Sequence, residues 1–349
     1  MQHLLLSLTL VVLPAIVFAG HSADQSSGRV VVAWWNLENL FDTVNDPDPL
    51  PRFGSDDEFL PDGARQWTDE RYRSKLENLA RAIRSMNDGR GPDIMGVCEV
   101  EHEHILTDLT RHFLEDLGYA TVYHESPDSR GIDIGFLYRK ELMNVTATGF
   151  RRVPLPETEP PSRDIFYVVF ETSWGPLVCI GNHWPSRRGG AAESEFRRIS
   201  AAETCRAIAD SMMSVSPDAD LVILGDFNDE PRDRSIHSYL RAVGDVDSVL
   251  LPHSNLLYQC MGGMNRGEGT YNYHGVWNML DQFIVSPGLL DSSGFRYERT
   301  EIHKPAFLIE QSGRYAGYPY PTYGGQRYIG GYSDHLPILL FLQGIRPRR

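Results

Sequence analysis

Leu221-Val222-Ile223-Leu224-Gly225-Asp226-Phe227-Asn228-Asp229 is an apolar run that finishes in three acidic or amide side chains. A strand that is apolar at successive positions is covered on both faces, so it lies inside a layered structure. Side chains alternate along a strand, which puts Asp226 and Asn228 on one face, two residues apart. That spacing suits a carboxylate that takes a proton from water, beside an amide that orients the water or the substrate. A turn closed by Asx capping uses the same residues and stays open as the alternative.

The pattern of a buried strand with a polar end recurs along the chain. In 177–190 the apolar run leads into Asn182-His183-Trp184-Pro185-Ser186-Arg187-Arg188-Gly189-Gly190, a loop in which guanidinium groups and flexible backbone suit a phosphate. A structural strand-end histidine is the plainer reading of His183 taken alone. Ile94-Met95-Gly96-Val97-Cys98 ends in Glu99, Val31-Val32-Ala33-Trp34-Trp35 ends in Asn36, and Ser333-Asp334-His335 precedes a last apolar run. Read as extended chain, Asp334 and His335 point to opposite sides.

Between these runs lie helical patterns. In 68–87 the residues Tyr72, Leu76, Leu79, Ile83 and Met86 share a face, with Thr68 as N-cap and Gly89 just past the end. Segments 105–117, closed by Gly118, and 193–213 behave alike. Strand-like runs at 30–35, 93–98, 120–124, 133–139, 144–153, 165–172, 177–184, 221–227, 282–285 and 336–342 interleave with the helices. The close spacing of 144–153, 165–172 and 177–184 adds antiparallel hairpins. The class is α/β with mixed sheets.

Composition bounds the rest. The chain has 349 residues, 41% hydrophobic and 23% charged, with a net charge of -14, which excludes a disordered protein and argues against bulk coating of nucleic acid. Residues 1–19 form a short apolar leader ending in Val17-Phe18-Ala19, an export signal that places the protein in the secreted or periplasmic space. No later run is long enough to span a bilayer, so stable membrane insertion is not expected, and the protein reads as a monomer. Cys98 and Cys179 fall in apolar runs and read as buried thiols; the lack of a CxxC argues against a zinc ribbon or redox pair. The acidic loop 42–62 reads as solvated chain rather than a calcium loop.

Taken in order, Asn36, Glu99, Ser129-Arg130-Gly131-Ile132-Asp133, Asn182-His183-Trp184, Gly225-Asp226-Phe227-Asn228, Leu280-Asp281-Gln282 and Ser333-Asp334-His335 resemble the endonuclease/exonuclease/phosphatase superfamily, over 30–343. The resemblance implies a deoxyribonuclease I-like fold: a four-layer sandwich of two mixed or antiparallel β-sheets flanked by helices. It implies that Asn36, Glu99 and Asp334 hold a divalent cation, Mg²⁺ or Mn²⁺ with Ca²⁺ as a further candidate, since an all-oxygen set suits hard cations. Glu101, two residues beyond Glu99, is the rival ligand. Asp226 and Asn228 would place and activate water. His183 and His335 would serve as acid/base pair or as donors to phosphoryl oxygens, with Asp281 orienting His335. Asp133 stands near where the family places a carboxylate that supports the first histidine, with a structural salt bridge as the alternative.

Substrate contacts are expected from Arg130, Arg187 and Tyr273, with core packing the better reading of Trp277. The Tyr- and Gly-rich stretch 315–332 reads either as cleft rim or as irregular loop. The expectation is a secreted, divalent-metal-dependent phosphodiesterase that hydrolyses DNA or RNA. A phospholipid or a phosphorylated small molecule is the alternative substrate, and a binding module on a dead nuclease fold is the alternative from another class.

Overall fold

The structure is a computed structural model, and it describes residues 28–45, 57–264 and 267–346. The segment 1–19 read as an export leader and much of the acidic loop lie outside the described residues. In chain order the elements begin β1 (Arg29–Leu40), α1 (Asp69–Ser85), β2 (Ile94–Val100), α2 (Glu103–Phe113), β3 (Tyr119–His124) and β4 (Asp133–Arg139). Then come β5 (Met143–Arg151), β6 (Ile165–Thr172), β7 (Gly175–His183), α3 (Glu195–Val215) and β8 (Asp220–Asp226). Short pieces β9 (Ala242–Val243), α4 (Val246–Val249), β10 (Leu257–Gln259), β11 (Tyr271–Tyr273) and β12 (Val276–Asn278) follow. The chain closes with β13 (Asp281–Val285), β14 (Gly294–Ile302), β15 (Tyr323–Gly324), β16 (Arg327–Tyr328) and β17 (Ile338–Arg346).

Two mixed sheets carry the fold. One has the order β14-β17-β1-β2-β4-β3 and the other β5-β6-β7-β8-β13-β10-β9. Within the first, β1 and β2 run parallel, and within the second β7 and β8 do, while most other pairs are antiparallel.

Alternation along β1 shows how the layers form. Val30, Val32 and Trp34 face inward and meet Phe166, Val168, Cys179, Val222 and Leu224 of the other sheet. Val31, Ala33 and Trp35 face outward and are covered by Leu76, Leu79 and Ile83 of α1 and Leu106 and Leu109 of α2. On the far side, Val178, Ile180, Leu221 and Ile223 are covered by Ala201, Cys205 and Ile208 of α3. Both central strands are therefore buried on two faces, the condition that their continuous apolar runs require.

Local signals set the helix ends. Thr68 caps α1 by accepting the Arg71 N–H at 3.4 Å, and Gly118 takes the left-handed conformation (φ 65°) after α2 and its trailing turn. Gly225 is required where β8 meets β7: a Cβ there would lie 2.3 Å from the Asn182 carbonyl oxygen. All four cysteines are free and buried. No helix among the described residues is long and apolar enough to cross a membrane.

Two features depart from the sequence reading, and a third decides between alternatives it left open. Strand β14 has the polar sequence GFRYERTEI; as an edge strand with one face toward solvent it needs no apolar run. The hairpin β11–β12 adds a short separate ribbon. The stretch 315–332 does not line the cleft described below; it packs toward α1, where Lys75 donates to Thr322 Oγ1 and to the Tyr332 carbonyl, each at 2.5 Å.

Candidate active site

One row across the second sheet builds half of the site. His183 on β7 pairs in register with Asp226 on β8, and Asp226 pairs in register with Asp281 on β13. Opposite them, the first sheet presents Asn36 from β1 and Glu99 from β2, and the loop before β17 brings Asp334 and His335. Asn36, Glu99, His183, Asp226, Asn228, Asp334 and His335 all line one cleft of about 730 Å³.

Backbone irregularities aim these groups. The β1–β2 ladder shifts register between Asn36 and Leu40, where Glu38 and Asn39 have φ of 53° and 51°. The β2–β4 ladder shifts between Cys98 and Val100, around Glu99 at φ 61°, and Asn228 sits at φ 51°. Left-handed non-glycine residues cost roughly 1–3 kcal/mol each, and like bulges they cluster where side chains must be redirected. The bulge also separates the two rivals: Glu99 enters the cleft, and Glu101 does not line it.

His335 is held from three directions. Its Nδ1 lies 2.7 Å from Asp281 Oδ2, and Trp34 Nε1 donates to Asp281 Oδ1 at 3.0 Å. Trp35 Nε1 donates to the His335 carbonyl at 2.9 Å. The His335 N–H goes to Ser333 Oγ at 3.1 Å, and that hydroxyl donates to the Asn36 carbonyl at 2.6 Å. Burial works against a charged imidazole here, but Asp281, Asp226 and Asp334 together raise His335 well above the ordinary histidine range.

His183 differs. Its Nε2 is 3.7 Å from Glu99 Oε1 and 3.8 Å from Asp226 Oδ2. Burial, then the Arg163 and Arg130 charges, hold it well below the ordinary range, so it is neutral. Arg163 donates to the His183 and Trp184 carbonyls at 3.2 and 2.9 Å and pairs with Asp128 at 2.9 Å.

The carboxylates form an excess of negative charge. Burial raises Asp226 to about 6, with Asp281 adding to it and His335 opposing. Burial also raises Asp334, where His335 and Lys75 oppose it and Glu99 and Asp226 add. Glu99 stays below its ordinary value despite burial, because Arg130, the Asn39 N–H at 2.8 Å and His335 favour its charge. Only oxygen donors are offered by Glu99, Asp226 and Asp334, and their mutual repulsion is what a bound hard dication would relieve. As placed, Asn36 Nδ2 donates to Asp226 at 3.2 Å and Glu99 at 3.3 Å, while its Oδ1 accepts the Glu38 N–H at 2.9 Å. For Asn36 to act as a ligand its amide must turn over.

Several expectations change. Asp133 does not support His183. Its Oδ1 accepts the Ser126 N–H at 2.9 Å and its Oδ2 the Tyr123 hydroxyl at 2.9 Å, while His183 Nδ1 has no hydrogen-bond partner among the described residues. Asp334 and His335 do not diverge, because 331–337 is not extended strand, and both reach the cleft. Asn228 Nδ2 is spent on the Trp184 carbonyl at 3.0 Å, leaving its oxygen as the working atom. Arg187 lines the cleft, but Nε goes to the Asn228 carbonyl at 2.8 Å and Nη2 to Asp233 at 2.7 Å.

Arg130 contacts Asn39 and lies 3.9 Å from Glu99. Tyr273 is 59% exposed at the rim, and Trp277 packs partly into the outer core, where Lys304 Nζ is 4.2 Å from its ring. Trp34, Trp35 and Arg163 are site residues that no motif announced, while Tyr271, its ring 4.8 Å from His335, belongs to the same short stretch as Tyr273. Only the adjacent tryptophans carried a signal, two large indoles immediately before Asn36.

Comparison with known proteins places this geometry. A sequence profile described as Endonuclease/Exonuclease/phosphatase family matches residues 31–344. No curated protein sequence matches the chain. Among solved structures, an endonuclease/exonuclease/phosphatase family protein from Bacteroides thetaiotaomicron superposes with TM-score 0.54 at 16% identity, covering 90% of this chain and 97% of its own. D. rerio TDP2 complexed with a single-strand DNA product gives 0.54 at 14%, covering 90% and 98%. A mannosyl-6-phosphatase from Bacteroides thetaiotaomicron gives 0.53 at 16%, covering 90% and 99%. At such identities the likeness is one of fold.

Proposed function

The chain belongs to the endonuclease/exonuclease/phosphatase family, a family of metal-dependent phosphoesterases, and from that premise we propose that it is a divalent-cation-dependent phosphodiesterase acting on nucleic acid. The observation that carries the substrate class is the cleft wall. Arg130 and Arg188 stand on it together with Tyr271 and the exposed Tyr273, so phosphate-pairing and base-stacking groups flank the carboxylate and histidine centre.

Glu99 and Asp334, with Asn36 turned over, would hold Mg²⁺ or Mn²⁺. When bound, the ion neutralises charge developing on the phosphoryl oxygens. Asp226 accepts a proton from the attacking water in this reading, and Asn228 orients that water through its amide oxygen. His335, charged and locked by Asp281, donates to a phosphoryl or leaving oxygen. His183, neutral and fixed through its backbone by Arg163, donates through Nε2. The leader at 1–19 supports action outside the cytoplasm.

The test is a panel of plasmid DNA, RNA, sphingomyelin and bis-p-nitrophenyl phosphate, each with Mg²⁺, Mn²⁺, Ca²⁺ or EDTA. The expected result is DNA or RNA cleavage that EDTA abolishes, that falls at least about a hundredfold in Asp226→Ala, and whose KM rises with salt. Cleavage of sphingomyelin alone, or a KM indifferent to salt, overturns the substrate assignment.

A further inference from the structure

We propose a second cation site, of zinc type, formed by Asp42, Glu101 and His102 with His104 beside them. One oxygen each of Asp42 and Glu101 and one ring nitrogen of His102 lie within 4.8 Å of one another. His104 Nε2 is 3.0 Å from Asp42 Oδ2, so a second imidazole reaches the same carboxylate. None of the four lines the cleft, and the site stands independently of the phosphodiesterase reading.

The donors are held by backbone. Glu101 is 3% exposed; its Oε2 accepts the Asp42 N–H at 2.8 Å and its own N–H goes to the Leu40 carbonyl at 3.1 Å. Asp42 Oδ1 accepts the Val44 N–H at 2.6 Å, which turns Oδ2 toward His104. His102 occupies the N-cap of α2, where Ser, Thr, Asp or Asn would bond the first turn, and it makes no capping bond. Its imidazole instead lies 3.8 Å from Glu125, with its ring centre 5.5 Å from that of His104. Ligands already fixed by neighbouring hydrogen bonds lose little freedom on binding an ion.

The chemistry of the set separates it from the cleft. A ring nitrogen joined to two carboxylates, with the second imidazole of His104 against Asp42, suits Zn²⁺, whereas the oxygen donors beside Asp226 suit Mg²⁺. Asp42 follows β1, Glu101 follows β2, and His102 and His104 open α2. An ion there ties together three chain segments just beyond the bulges that aim Asn36 and Glu99.

Full-length protein stripped with EDTA is dialysed against Zn²⁺ in the presence of excess Mg²⁺, and bound metal is measured by mass spectrometry. The expected result is about one Zn²⁺ per chain, with Zn²⁺ raising Tm by about 3 °C or more. His102→Ala and Asp42→Asn should each bind Zn²⁺ at least about tenfold more weakly while keeping Mg²⁺-dependent hydrolysis. His335→Ala should keep the zinc, because Asp226, Asp281 and His335 are the other cluster among the described residues able to capture it. No zinc retained against Mg²⁺, equal zinc in wild type and His102→Ala, or zinc lost in His335→Ala overturns the proposal.

Discussion

Two histidines approach one oxygen of Asp226 from opposite sheets at nearly equal distances, His183 Nε2 at 3.8 Å and His335 Nε2 at 3.9 Å, yet one is neutral and the other charged. Both are buried, so desolvation disfavours the charge on each. The difference comes from behind the rings. His335 Nδ1 faces Asp281, itself braced by Trp34, whereas His183 Nδ1 has no hydrogen-bond partner among the described residues and its backbone is gripped by the Arg163 cation. Distance to the reacting groups does not assign acid and base roles; what backs each imidazole does.

The sharpest way to break that comparison is Asp281→Asn. Removing the charge leaves His335 without its strongest favourable partner and frees its tautomer, so kcat/KM should fall about a thousandfold. The pH profile carries the sign. In the wild type His335 is raised, so activity that needs its charged form is lost as pH rises through that elevated value; in the Asn variant the loss comes at lower pH. An alkaline limb that does not move would show that His335 is not the charged donor. His183→Ala should cost less, about a hundredfold, and leave the alkaline limb where it is, since a histidine already neutral does not titrate there. Equal pH profiles for the two variants would erase the distinction between the rings.

Much of this was legible because buried strands leave a loud signal. Runs such as 221–227 and 94–98 located both central sheets, and their polar ends located Asp226 and Glu99 within a residue. What stayed hidden depends on partners far apart in the chain. Arg163 lies in a Pro- and Glu-rich loop that nothing in its neighbours marks, and its role exists only because that loop folds against the end of β7. Glu99 and Glu101 looked alike on a strand of strict alternation; a bulge, which has no residue signature here, sends one into the cleft and the other to Asp42. The polar edge strand β14 was missed because its exposed face requires no apolar residues.

Asp133 gives the smallest expected effect on rate and the cleanest control. The family resemblance puts it near where a carboxylate would back His183, with a structural salt bridge as the alternative, but its oxygens are occupied by Ser126 and Tyr123. Asp133→Asn should therefore change kcat/KM by less than about twofold, whereas a carboxylate acting on His183 would bring losses of about tenfold or more. Its effect belongs to stability. Burial raises Asp133 to about 7, so the folded state binds a proton that the unfolded state has released above its ordinary value near 3.8. The stability tied to that proton is present at low pH and is lost as pH rises through about 7. Asparagine can keep both contacts, accepting the Ser126 N–H through Oδ1 and donating from Nδ2 to the Tyr123 hydroxyl oxygen, whose one proton, shared in the wild type between Asp133 and the Glu101 carbonyl, then goes to that carbonyl alone. Chemical denaturation across that pH interval should then show a flatter slope in Asp133→Asn than in wild type, and a higher stability on the alkaline side. A variant that loses catalysis while its stability slope is unchanged would return Asp133 to the site and dissolve the contrast between the backed and the unbacked histidine.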